Sequence, residues 1–276
     1  MNAILIVAHK EFRDGLRNRW VLAISMVFAL LAMGLAYFGA SASGVVGFTS
    51  LNTTIISLSS LAIFLIPLIA LLLAYDSIIG EEEQGTLLLL LTYPLSRTEL
   101  LTGKFLGHAA IMTVSTVSGF GVAAVLIGLL TGELLDPQMW QAFGFFILTA
   151  TLLGWVFVAM AYISNVVVTE KSKAAGAALI VWFWFVVVFD LVLLGSLVAS
   201  KGMAGGDWLP YLLLLNPTDV FRLANLAGFE ATRHYTGLSH IAAGPLFEPA
   251  VLTGILMLWV VLPLVTALWL FRKRQV

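Results

Sequence analysis

Three consecutive glutamates, Glu81, Glu82 and Glu83, are the densest acidic run in the sequence, and Gly85 and Thr86 follow them closely. Such a run on the inner side goes against the positive-inside trend and reads as part of a docking element or of a hairpin that merely joins two spans. A further acid, Asp190, stands alone inside the apolar stretch WFWFVVVFDLVLLGS. An ionised carboxylate in hydrocarbon costs about 2.5–3.5 kcal/mol or more. Asp190 therefore reads either as lining a pathway between subunits or as hydrogen-bonded to a neighbouring helix. Thr53, Ser57 and Ser60 share one helical face. They read either as the lining of such a pathway or as small hydroxyl residues of helix packing. Ser115, Gly119 and Ala123 read as packing. None of these makes a catalytic pair, since Asp190 has no second carboxylate or Ser–His set in any span. No G-x-x-x-x-G-K-[ST] loop occurs, and Gly103-Lys104 is followed by Phe105, so no Walker cradle for ATP is present. Cysteine is absent, which excludes disulfides and thiolate metal sites within the chain. A soft-metal site would have to use Met or His. Met26 and Met33 are two turns apart, about 10 Å along a helix. Met203, His234 and His240 remain as candidates without a recognisable ligand spacing, and His9 and His108 read as interfacial or packing residues. No cofactor is called for in this chain.

The elements that must position these residues follow from composition. Of 276 residues, 61% are hydrophobic and only 11% charged, with a mean hydropathy of +1.03. That is too little charge to wet a soluble surface, so the solvent is largely lipid and the fold class is all-α integral membrane. A span needs roughly 20 apolar residues. Six stretches qualify: 20–40, 54–75, 105–130, 140–163, 174–198 and 250–271. The first also resembles a signal peptide ending at Ala40-Ser41-Ala42, but its apolar run is too long for one. Trp20, Trp140, Trp208 and Trp269 fall near span ends, as interfacial anchors do. Pro67 predicts a kink in the second span.

With the N-terminus inside, the inner segments hold eleven basic residues: Lys10, Arg13, Arg17, Arg19, Arg97, Lys104, Lys171, Lys173, Arg272, Lys273 and Arg274. The outer segments hold Lys201, Arg222 and Arg233. The positive-inside rule then places both termini in the cytoplasm of a multi-pass membrane protein. A net charge of −1 gives no sign of nucleic-acid binding.

Segment 4–19 carries Leu5, Ala8, Phe12 and Leu16 on one helical face and charges on the others. It reads as a helix lying in the interface, or as a plain basic flank. In the inner loop, 76–104, the run Leu87–Leu91 is too short to cross a bilayer. Pro94 ends it, and Ser96 with Glu99 has capping-box spacing. The loop is either a docking element or a hairpin that merely joins two spans. The short inner loop brings Lys171 and Lys173 to the same side, as further contacts or as topological anchors. In the outer loop, 199–249, Trp208–Leu215 suggests a short re-entrant or interfacial helix. Asp219 with Arg222, and Glu230 with Arg233, read as ordinary helical ion pairs.

Glu81, Gly85, Thr86, Leu87, Pro94, Leu95, Ser96, Arg97 and Lys104, in the pattern E-x-x-x-G-T-L…P-L-S-R…K, resemble the ABC-2 type permease family. Segment 4–19 is similar to that family's elbow helix, and Asn216-Pro217-Thr218-Asp219-Val220-Phe221-Arg222 to its Asn-Pro motif in the last outer loop. The order of these features covers essentially the whole chain. The resemblance implies a single permease domain resembling type V ABC exporters, with coupling helices in the inner loop. Glu81, Glu82, Glu83, Gly85, Thr86, Arg97, Lys171 and Lys173 are the implied contacts to a separate dimeric cytoplasmic ATPase, which would bind the ATP and Mg. Asn216, Pro217, Asp219 and Arg222 form the outer motif. It further implies the bacterial inner membrane, a homodimer, a periplasmic accessory protein, a copper chaperone lipoprotein, and a copper or sulfur cargo for maturation of nitrous oxide reductase. The competing readings are a stand-alone channel or secondary transporter, which should carry more intramembrane charge, and an intramembrane enzyme.

Overall fold

The computed structural model describes residues 3–38, 47–48, 50–199, 209–227 and 245–274. Met203, His234, His240, Trp208 and the Glu230–Arg233 pair lie outside the described residues. Among those described, all regular structure is helical. Six helices are long and apolar enough to cross a membrane: Trp20–Phe38, Leu51–Glu83, Arg97–Thr131, Pro137–Val167, Lys171–Ala199 and Pro249–Lys273.

Helix α1 (Ala3–Arg17) leads through a two-residue turn into α2 (Trp20–Phe38). Arg19 forms that turn with φ 60°, the one positive φ among described non-glycine residues. The left-handed conformation costs a side-chain-bearing residue about 1–2 kcal/mol, and glycine or asparagine ordinarily takes this position after a helix.

The next helix, α3 (Leu51–Ala74), is capped by Ser50. In the inner loop, α4 (Ile79–Glu83) and α5 (Thr86–Thr92) are separated by a left-handed Gly85. Then α6 (Arg97–Thr131) starts at the expected capping box, Ser96 with Glu99. It begins well ahead of residue 105, so Lys104 and His108 lie within one continuous helix.

Glycine explains why α1 lies on this helix. A Cβ on Gly103 would fall 2.7 Å from Val7 Cβ and 2.8 Å from the Ile4 carbonyl; on Gly107, 2.5 Å from Glu11 Cβ. The α1 face that packs is therefore Ile4, Val7 and Glu11. Leu5 and Leu16, from the apolar face read in the sequence, stay exposed for lipid.

Helix α7 (Pro137–Val167), with Asp136 as its N-cap, is the centre of the bundle. Its most apolar stretch is 72% buried, against 11% for the fifth span. That fifth span is α8 (Lys171–Phe183), a widened π turn (Trp184–Val188) and α9 (Phe189–Ala199). After it come α10 (Leu209–Leu213), α11 (Pro217–Ala227) and the last span, α12 (Pro249–Lys273). The position of α11 corrects the sequence reading, which treated 199–249 as an external surface. Val220, Phe221, Leu223 and Ala224 form an apolar stripe too short to span a bilayer. They bury it against α3, α7 and α12, with Phe221 and Phe146 rings 6.0 Å apart.

Candidate functional site

Two polar clusters lie along α7, one at its C-terminal end and the other beside its middle. At one end, the Lys104 ammonium is buried from α6 and lies 2.8 Å from a carboxylate oxygen of Glu11 and 2.8 Å from one of Glu81. Lys10 sits over both, 3.0 Å from Glu11 and 3.6 Å from Glu81. Two cations thus answer two carboxylates where α1, α4 and α6 meet. Burial works against the charged form of Glu11, but Lys104 and His108 beside it, with the Lys104 hydrogen bond, hold its carboxyl at about 2.

One turn along α6, His108 Nδ1 lies 2.8 Å from Tyr162 Oη, which is 3.1 Å from Ser77 Oγ. The buried amide of Asn165 then splices the break between α3 and α4. Its oxygen accepts from the backbone N–H of Ile78 and Ile79, and its nitrogen donates to Ala74 and Ala161 carbonyls.

The three glutamates have three destinations. Glu81 binds Lys104, and Glu82 binds Arg274 at 2.7 Å. Glu83 accepts from the Lys171 backbone N–H at the start of α8, at 2.6 Å. Arg274 also donates to the carbonyls of Asn165, Val166 and Val168, closing the C-terminus of α7. Arg97 in turn donates to the carbonyls of Phe271 and Arg274. The acidic run is therefore a clamp joining α4 to α6, α12 and α8, with its carboxylates engaged inside the chain. Thr86 caps the turn by donating to the Glu81 carbonyl. Lys171 reaches Asp76 at 2.6 Å, whereas Lys173 pairs with Glu170 and is exposed. Beside the exposed Glu83, Gln84, Thr92 and Ser96, the loop shows three large apolar side chains outward: Leu88, Leu89 and Tyr93, at 58%, 63% and 68% exposure, with Leu87 buried beneath them.

The Asn-Pro motif builds the other cluster. The π turn frees the Phe185 carbonyl, and Asn216 Nδ2 donates to it at 2.8 Å and Thr218 Oγ1 at 3.3 Å. Asn216 also donates to Asp219. Pro217 fills the first position of α11, where no backbone donor is needed. The Asp219–Arg222 pair is less ordinary than its spacing implied. Asp219 is buried, and Arg222 extends from it to Asp190, 3.7 Å away in α9. The lone intramembrane acid thus has a partner that the sequence did not offer. Burial, only partly opposed by Arg222 and reinforced by Asp190, pushes the Asp219 carboxyl up to about 7.

Thr53 and Ser60 face out of the chain and Ser57 is half-buried, so this stripe is not packed inside one copy. Ser115 and Ala123 are buried as expected. Among the described residues no group of three His, Cys, Asp or Glu side chains could hold a metal.

The bundle, its elbow helix and the loop clamp define a membrane permease subunit. Residues 5–276 match the ABC-2 family transporter protein family, to which this chain belongs. It is 54% identical to a probable ABC transporter permease protein NosY of Stutzerimonas stutzeri, over 99% of each chain. To the protein of that name from Pseudomonas aeruginosa it is 53% identical over the full length of both. The chain is a NosY-like, multi-pass permease subunit of an ABC transporter.

Proposed function

We propose that this subunit receives the stroke of a separate cytoplasmic ATPase on α5 and carries it, through the Glu81–Glu83 clamp, to the elbow and the spans. The single observation that carries the reading is the division of labour within 76–104. The carboxylates tie α4 to α6, α8 and α12, while Leu88, Leu89 and Tyr93 stand bare beside them. An apolar knob on a clamped base fits insertion into a groove of a partner. Gly85 and Thr86 form the joint between knob and clamp, and Arg97, Lys171 and Lys173 frame it. Both termini lie in the cytoplasm and the membrane is the bacterial inner membrane.

Two copies act together. The fifth span, little buried in one copy, and the outward Thr53, Ser57 and Ser60 support a path between protomers with Asp190 near its outer end. The similarity to NosY permeases supports a NosF-like ATPase, a NosD-like periplasmic protein and a copper chaperone lipoprotein as partners. It also supports copper or a sulfur species, for nitrous oxide reductase maturation, as cargo. Co-expression with the candidate ATPase tests the mechanism. Leu88→Asp/Leu89→Asp should abolish co-purification, whereas Glu81→Gln should leave assembly intact and lower coupled ATP hydrolysis. Unimpaired assembly of the double leucine variant would overturn α5 as the receiving element, and failure of any ATPase to co-purify with the native chain would return it to the stand-alone transporter reading.

A further inference from the structure

A groove of about 590 Å³ runs between α2 and α6 from the end where α1 joins. Its walls include Leu16, Leu22, Met26, Ala29 and Val122, and its mouth includes Arg19. Size places it among small-molecule sites, which span about 300–1,000 Å³. Its floor has no spare hydrogen-bonding group. Ser25 and Ser118 lie 2.7 Å apart, so one hydroxyl donates to the other, which in turn donates to a carbonyl of its own helix, Val21 or Val114. Such a floor favours hydrocarbon. The helices meet closely there because Gly119 sits against Phe28 and the Ser25 carbonyl.

The polarity is all at the mouth. Arg19 is exposed, and the nearby Asp14 already pairs with Lys10 at 3.5 Å. Arg13 and Arg17 are exposed on the same short helix. Trp20, half-exposed beside Arg19, marks headgroup depth. Arg19 also occupies a left-handed position that glycine would fill without strain. Among the described residues no acid pairs with Arg19, and a strained residue with such a charge over an apolar groove asks for an amphiphile with an anionic head. We infer that this groove binds one anionic phospholipid, its phosphate on Arg19 and an acyl chain along Leu22, Met26 and Val122.

The test is native mass spectrometry of the full-length chain in detergent, titrated with dioleoyl-phosphatidylglycerol or dioleoyl-phosphatidylcholine. One phosphatidylglycerol should be retained per chain, at least tenfold more tightly than phosphatidylcholine. Arg19→Gly should erase that preference without lowering the unfolding temperature, because glycine suits the turn. Arg19→Lys should keep most of it. Ala29→Trp, which fills the groove, should weaken both lipids and guards against misfolding of the turn variant. Soluble glycerol phosphate should not compete, since it lacks the tail. The inference is overturned by equal binding of the two lipids, by Arg19→Gly keeping the preference, or by displacement with glycerol phosphate. It is also overturned if Ala29→Trp leaves lipid binding intact and abolishes self-association, which would give the groove to a second copy.

Discussion

Lys104 brings one positive charge to a buried point where two carboxylates converge, and Lys10 supplies the second. Removing a buried ion leaves its partners desolvated and uncompensated, which costs about 3–5 kcal/mol. Lys104→Met should therefore lower stability by that order, read as a fall in unfolding temperature in detergent, while Lys173→Met on the exposed pair should change little. The two shifted carboxyls predict opposite pH dependences. Glu11 titrates at about 2 in the fold against 4.5 ordinarily. Its contribution, on the order of 3 kcal/mol, is present above pH 4.5 and is lost as pH falls towards 2. Asp219 titrates at about 7 against 3.8. Its contribution is present below pH 3.8 and is lost as pH rises through 7. Unfolding temperatures measured from pH 3 to 8 should lose the acid limb in Glu11→Gln and the neutral limb in Asp219→Asn. The charges at 81–83 were plain in the sequence, but their engagement was not. A carboxylate run reads alike whether it faces a partner or a buried lysine, because the partners lie far apart in the chain.

Elements joined by shared backbone groups should part when the shared group is lost. Asn216 holds α11 to the π turn through the Phe185 carbonyl and also steadies Asp219. Asn216→Ala should cost about 1–3 kcal/mol and raise amide exchange in 217–227, while 137–167 keeps its protection. Gly107→Leu should lift α1 from α6, since even a Cβ there meets Glu11. Loss of the Lys104–Glu11 contact would show as a flattened acid limb. Hydropathy made the six spans legible, because length and apolarity suffice to identify them. Elbow and capping box were legible from local spacing. The burial of α11 was not: eleven residues with an apolar stripe look alike on a surface and in a crevice, and only the walls supplied by α3, α7 and α12 decide. Nor did the sequence announce the π turn, since WFWFVVV carries no breaker.

Helix α7 makes the two clusters one object. Tyr162 and Asn165 belong to the clamp end, and Thr149 receives the buried amide of Asn225 in α11 at 2.9 Å, with Phe146 packed on Phe221. A close-packed helix, 72% buried along its apolar stretch, moves as a unit rather than deforming. A push on α4 that shifts α7 must then shift α11. Lys104→Met and Asn225→Ala act on separate clusters, the clamp and the middle of α7, and share no contact. Their effects on unfolding free energy should add to within about 0.5 kcal/mol. Their effects on ATPase stimulation in the assembled complex should not add, because either break alone interrupts the same rigid path, and the double variant should be no worse than the weaker single one. Additive loss in the ATPase cycle as well would mean that the two clusters act separately, and that α7 holds the bundle together without conveying the stroke.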